Sequence, residues 1–93
     1  MDPQKATLLE TYVISEGEMT TEDLKDAPRN QLISLKTHLE KEAEDIRRRI
    51  SSIYNRAREE RRGVNLAAVK SARRALSKRL LLVEDIKSEI GEK

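Results

Sequence analysis

From Pro28 to Gly63 the chain meets neither glycine nor proline, and the apolar residues inside that stretch recur at intervals of three and four. Leu32, Leu35, Leu39, Ala43, Ile46, Ile50, Ile53 and Ala57 therefore share one face of a helix, which at 1.5 Å per residue is expected to run roughly 50 Å. Gly63 reads as the residue that closes this helix, and Asn65 as the N-cap of another that continues to about Ile90, before Gly91. In that second rod Val69, Ala72, Leu76, Leu80, Val83, Ile86 and Ile90 repeat the same spacing, the signature of a coiled-coil seam. Folding back at Gly63 to Asn65 pairs Leu39 with Ile90, Ala43 with Ile86, Ile46 with Val83, Ile53 with Leu76 and Ala57 with Ala72 in one antiparallel register. The expected fold is all-α: a short N-terminal helix and acidic connector in residues 1–26, then a long antiparallel coiled-coil helical hairpin in residues 27–93.

Ahead of the hairpin, Asp2 and Pro3 look like the start of a short helix running to about Ser15, with Gly17 closing it and Leu9, Tyr12 and Val13 as its apolar face. In the connector, Thr20 and Asp23 have capping-box spacing and predict a single helical turn. Asp26 is placed to cap the long helix, with Pro28 in its first turn.

Composition agrees: 39% of the residues are charged and 2% aromatic, and three glycines and two prolines in 93 residues leave few breaks for strands. A chain of this length holds one domain, and ordering it costs about 1.5 kcal/mol per residue, so a lone monomer is expected to be marginal. Leu32 and Leu35 lie beyond the expected reach of the last helix, and Leu81 and Leu82 fall off the seam. These four leucines are expected to form an interface between copies of the chain. Without cysteine there is neither a disulfide framework nor a thiolate metal site. Residues 1–9 lack the apolar stretch of a secretion signal, and the longest aliphatic run is Leu80 to Val83, so an intracellular protein of cytoplasm, nucleoid or nucleus, without a membrane partner, is expected.

Little in the sequence can carry catalysis. His38 is the single histidine, flanked one turn away by Ser34 and Glu42, and no nucleophile, base and oxyanion donor come together. Glu40, Glu42, Glu44 and Asp45 lack the Glu-x-x-His element of bundle metal sites and read as a solvated acidic face. Gly17, Gly63 and Gly91 are too scattered for a phosphate loop. No enzyme, cofactor, metal or small-molecule substrate is expected.

Charge is segregated instead. Residues 1–46 hold eleven acids against five bases, whereas residues 47–79 hold twelve bases against Glu59 and Glu60 alone, a block that the overall charge of +2 conceals. In the hairpin this block is the turn end: Arg47, Arg48, Arg49, Arg56, Arg58, Arg61 and Arg62 on one helix, Lys70, Arg73, Arg74, Lys78 and Arg79 on the other. A merely solvated coiled coil matches its charges at i, i+4 or across the seam, and two acids cannot neutralise twelve bases. Arginine dominates, and its planar fork suits phosphate or carboxylate. The expected function is binding of an anionic partner, nucleic-acid backbone first, with an acidic protein surface as the alternative; the acidic base of a neighbouring copy would serve.

Ile50, Ile53, Tyr54, Ala57 and Arg58, followed by Gly63 and Asn65, also resemble the stretch before the turn in small bacterial chromosome-binding proteins of the GapR type. That resemblance implies a helical, oligomeric protein that clamps DNA with basic side chains. It covers about 16 residues by the helix-and-turn pattern alone. The lysine-rich second half of that family is arginine-rich and of different length here, so no residue role is carried over.

Overall fold

The computed structural model describes residues 7–91. Among them are four helices and no strand: α1 (Leu8–Ile14), α2 (Thr21–Lys25), α3 (Arg29–Glu59) and α4 (Leu66–Ile90). The long α3 packs against α4, α1 against α3, and α2 against α4. The α3–α4 packing is hairpin-like: Arg73 of α4 donates to the Tyr54 hydroxyl, and Arg79 donates to Glu42 of α3, so residue numbers fall on one helix as they rise on the other.

Helix ends follow main-chain chemistry more closely than glycine positions. Thr7 caps α1, its hydroxyl accepting the Glu10 N–H at 3.2 Å while the Glu10 carboxylate accepts the Thr7 N–H at 3.3 Å. Asp2 and Pro3, expected to open this helix, lie outside the described residues. Thr20 and Asp23 form the anticipated capping box of α2. Asp26 closes α2 and does not cap α3, whose N-cap is Pro28 with φ at −62° and no side-chain cap. Asn65 caps α4, accepting the Ala68 N–H at 3.2 Å, and Gly91 ends it with φ at 79°.

At the end of α3, Gly63 is not the closing residue. Arg61 adopts the left-handed conformation, φ 52°, and donates its N–H to Arg58, while the Arg62 N–H returns to Ala57 at 3.0 Å. These are the two bonds of a Schellman motif, which satisfy orphan carbonyls whatever side chain occupies the left-handed position. The same pattern closes α1 one residue before Gly17: Glu16 has φ 54°, and the Gly17 N–H bonds the Tyr12 carbonyl at 3.0 Å.

The core sits at the end away from the α3–α4 turn, where Leu8, Tyr12, Leu24, Leu32, Leu35, Leu39, Leu82, Val83, Ile86 and Ile90 pack together. This corrects the expected interface in three of its four residues. Leu32, Leu35 and Leu82 are buried within the single chain, because α1 and α2 cover what α4 alone does not reach; only Leu81 remains exposed, at 67%. The α4 seam shifts with it, as Leu82 is buried in the same core as Leu24 of α2 whereas Leu80 stays at the margin of exposure. On α1 the buried face is Leu8 and Tyr12, four residues apart, with Leu9 half-buried and Val13 outside. Toward the turn the helices are held by smaller contacts: Ala43, Ile46, Ala57 and Val69 are buried, but Ile50, Ile53, Ala72 and Leu76 only half so. The chain spans 59 × 32 × 17 Å.

Candidate anion-binding site

The long uninterrupted α3 and the Asn65-capped start of α4 carry the basic block on two adjoining rods. Arg47, Arg48, Arg49, Arg56, Arg58, Arg61, Arg62, Lys70, Arg73, Arg74 and Lys78 are exposed, and Arg79 is half-buried. Some are balanced at home. Arg47 and Arg48 share Glu44 at 3.9 and 3.7 Å, Arg62 meets Glu60 at 2.6 Å, Lys78 pairs with Glu18, and Arg79 reaches Glu42 at 3.2 Å. Arg49, Arg56, Arg58, Arg61, Lys70, Arg73 and Arg74 meet no carboxylate among the described residues; Arg73 has only the Tyr54 hydroxyl, at 3.3 Å. Unpaired exposed guanidinium groups retain their full capacity for an external anion.

Between the two rods, on the turn side, runs an open groove of about 490 Å³, bordered by Arg49, Arg56 and Arg62 and floored by Ile53, Ala57, Gly63 and Ala68. It continues toward the core past Ile46, Ala72 and Ala75 to Glu42 and Arg79. Room for the groove is left because α4 presents small residues there, Ala68, Ser71, Ala72 and Ala75.

Where the groove meets the core, the structure assembles a polar hub that sequence reasoning missed. Glu42, expected in a solvated acidic face, is two-thirds covered: its Oε1 accepts the Tyr12 hydroxyl at 2.6 Å and the Arg79 Nε at 3.2 Å, and its Oε2 lies 3.5 Å from His38 Nε2. His38 also stands edge-on to the Tyr12 ring, centroids 5.8 Å apart. Burial, reinforced by the bond to Glu42, pushes the Tyr12 hydroxyl up to about 12. Tyr12, Glu42 and Arg79 stand 30 and 37 residues apart, so no local spacing announces them; the one sequence signal is the place of Tyr12 on an apolar face of α1.

Among the described residues no group of three or more His, Cys, Asp or Glu is placed to hold a metal ion, and no helix is long and apolar enough to cross a membrane. Compared with protein-family models, curated proteins and solved structures, the chain matches none.

Proposed function

We propose that the chain is a non-catalytic anion-binding protein, an antiparallel coiled-coil hairpin whose arginine-rich turn end grips nucleic-acid backbone. The supporting observation is the set of exposed basic side chains on both α3 and α4 that meet no carboxylate among the described residues, gathered in the half of the two rods nearer the turn. Such groups bind phosphates by charge and geometry without reading bases. Aromatic platforms for stacking single strands are scarce, Tyr54 being the one aromatic side chain beside the block, so duplex backbone is the better ligand. The test is copurification: the absorbance ratio at 260 and 280 nm, read before and after a high-salt wash, falls if nucleic acid was bound, and an unchanged protein-like ratio together with no binding to added duplex rejects the proposal.

A second reading, docking on an acidic protein surface, is favoured by the groove itself. Phosphate backbone has no use for a floor of Ile53, Ala57 and Ala68, whereas a protein partner buries it.

A further inference from the structure

The groove and α1 are successive lengths of one valley. Glu42 and Arg79 border both the hollow beside Tyr12 and Val13 and the open groove, and Arg49, Ile53 and Ala68 carry that groove on to the turn. Near the core α1 stands in the valley as a ridge; toward the turn no described residue fills it. The two halves have opposite chemistry. On α1, Glu10, Val13 and Ile14 stand at i, i+3 and i+4, opposite the buried Leu8 and Tyr12, with Glu16 just beyond. Val13 is 61% and Ile14 78% exposed, so the ridge carries an uncovered apolar pair among carboxylates. The empty half offers an aliphatic floor between Arg49 and Arg56, neither of which meets a carboxylate among the described residues.

We propose that this face is the contact between two copies of the chain, the α1 ridge of each seated in the other's groove. A two-fold axis lying in the interface, perpendicular to the long helices, turns one molecule over and reverses it, which brings ridge to groove at both ends at once. Val13 and Ile14 then cover Ile53, Ala57 and Ala68, while Glu10 and Glu16 face Arg49 and Arg56. Because the patch is complementary to itself, the contact closes as a dimer and does not propagate into a filament. The idea extends the protein-docking reading above, and it leaves the basic side chains outside the groove, Arg58, Arg61, Lys70, Arg73 and Arg74, available to an anion.

The experiment uses the full chain, nuclease-treated, in sedimentation equilibrium. A dimer is expected. Val13→Ser with Ile14→Ser removes side chains that contribute nothing to the core, so the helical circular dichroism is retained while dimerisation weakens by about tenfold or more, as for loss of paired interface anchors. Arg49→Glu with Arg56→Glu is expected to do the same by placing like charges opposite Glu10 and Glu16. The chain has no cysteine, so Ile14→Cys in one preparation and Ser52→Cys in another give a clean proximity test: mixed, they form the heterologous disulfide faster than either links to itself. A monomeric unmutated chain, a dimer indifferent to both double variants, or self-linking of Ile14→Cys ahead of the mixed product overturns the proposal. Duplex binding measured on the same variants keeps the readings apart, since a monomer that still binds duplex with steep salt dependence sinks only the dimer.

Discussion

Tyr12 of α1 donates its hydroxyl hydrogen to Glu42 of α3 across 2.6 Å, joining residues thirty positions apart and fastening the N-terminal segment to the hairpin. Arg79 of α4 holds the same carboxylate, so three helices meet at one group. Tyr12→Phe keeps the ring against His38 and removes this bond. A hydrogen bond to a charged acceptor contributes roughly 1.5 kcal/mol, and the urea midpoint should fall accordingly, with faster amide exchange in α1 than in the centre of α3.

The same bond sets a pH dependence. The folded Tyr12 hydroxyl titrates at about 12 against the ordinary 10.0, chiefly because it is buried and then because it donates to Glu42. The folded state thus keeps a proton that the unfolded chain releases sooner. This contribution is complete below pH 10 and is lost as pH rises from there through about 12. Stability of the unmutated chain should drop more steeply across that window than that of Tyr12→Phe. In Tyr54→Phe, where Tyr12 is the remaining tyrosine, absorbance near 295 nm should show ionisation delayed to the upper end of the same window; ionisation at the ordinary value would contradict the clamp.

Leu35 is fully buried, whereas Leu81 is 67% exposed, though both were expected to lie between chains. Leu35→Ala opens a cavity in the core and should cost about 2–5 kcal/mol in chemical denaturation. Leu81→Lys should change stability by less than about 0.5 kcal/mol. Equal losses at the two positions would mean that α1 and α2 do not cover the hairpin as described.

How far the sequence revealed this arrangement depends on the range of the interaction. Short-range chemistry was readable: the Thr20–Asp23 capping box, Asn65 as N-cap, the end of α4 at Ile90 before Gly91, and the three-four spacing that buries Leu39, Ala43, Ile46, Val83 and Ile86. Gly63 misled because a Schellman closure is made by main-chain bonds, so Arg61 accepts the left-handed position and glycine is not required. The fate of Leu32, Leu35 and Leu82 was hidden for another reason. It depends on where two short helices dock, and a five-residue helix such as α2 has too few turns to reveal its buried face from spacing. The basic block was legible as composition, but which of its members find carboxylates was not, since Lys78 with Glu18 and Arg79 with Glu42 are tertiary pairs.

The turn offers a direct check on that closure. Arg61 stands at φ 52°, where a side chain costs energy that glycine does not. Arg61→Gly should therefore stabilise the chain by about 0.5–1 kcal/mol, the looser unfolded chain offsetting part of the relief. Gly63→Ala should be neutral to stabilising by up to about 1 kcal/mol, because the added methyl group meets open space, Gly63 is not at positive φ, and the unfolded chain loses freedom. A clear loss of stability in Gly63→Ala, with none gained in Arg61→Gly, would place the closing residue at Gly63 after all.

The anion-binding proposal makes its sharpest statement about salt. If the turn end holds duplex backbone through phosphate contacts alone, the logarithm of the binding constant should fall linearly with the logarithm of salt concentration, by about 0.9 for each phosphate neutralised, with little difference between sequences. Arg58, Arg61, Arg73 and Arg74 lie outside the groove and meet no carboxylate among the described residues, so they are the side chains to test. Glutamine at Arg58, Arg73 or Arg74 keeps a helix-forming side chain while removing one charge, glutamine at Arg61 removes one from the turn, and each should shallow the slope by about 1 if that arginine contacts phosphate. Stability should hold or rise slightly as repulsion between neighbouring guanidinium groups is relieved. Glu44→Gln should act in the opposite sense, freeing Arg47 and Arg48 from their shared partner and strengthening binding at low salt. The measurement is a fluorescence-anisotropy titration of duplex DNA, duplex RNA and single strands at low and physiological salt. Binding to none of them below about 10 μM, the middle of the ordinary non-specific range of about 1–100 μM, would reject the nucleic-acid reading and leave these arginines to carboxylates.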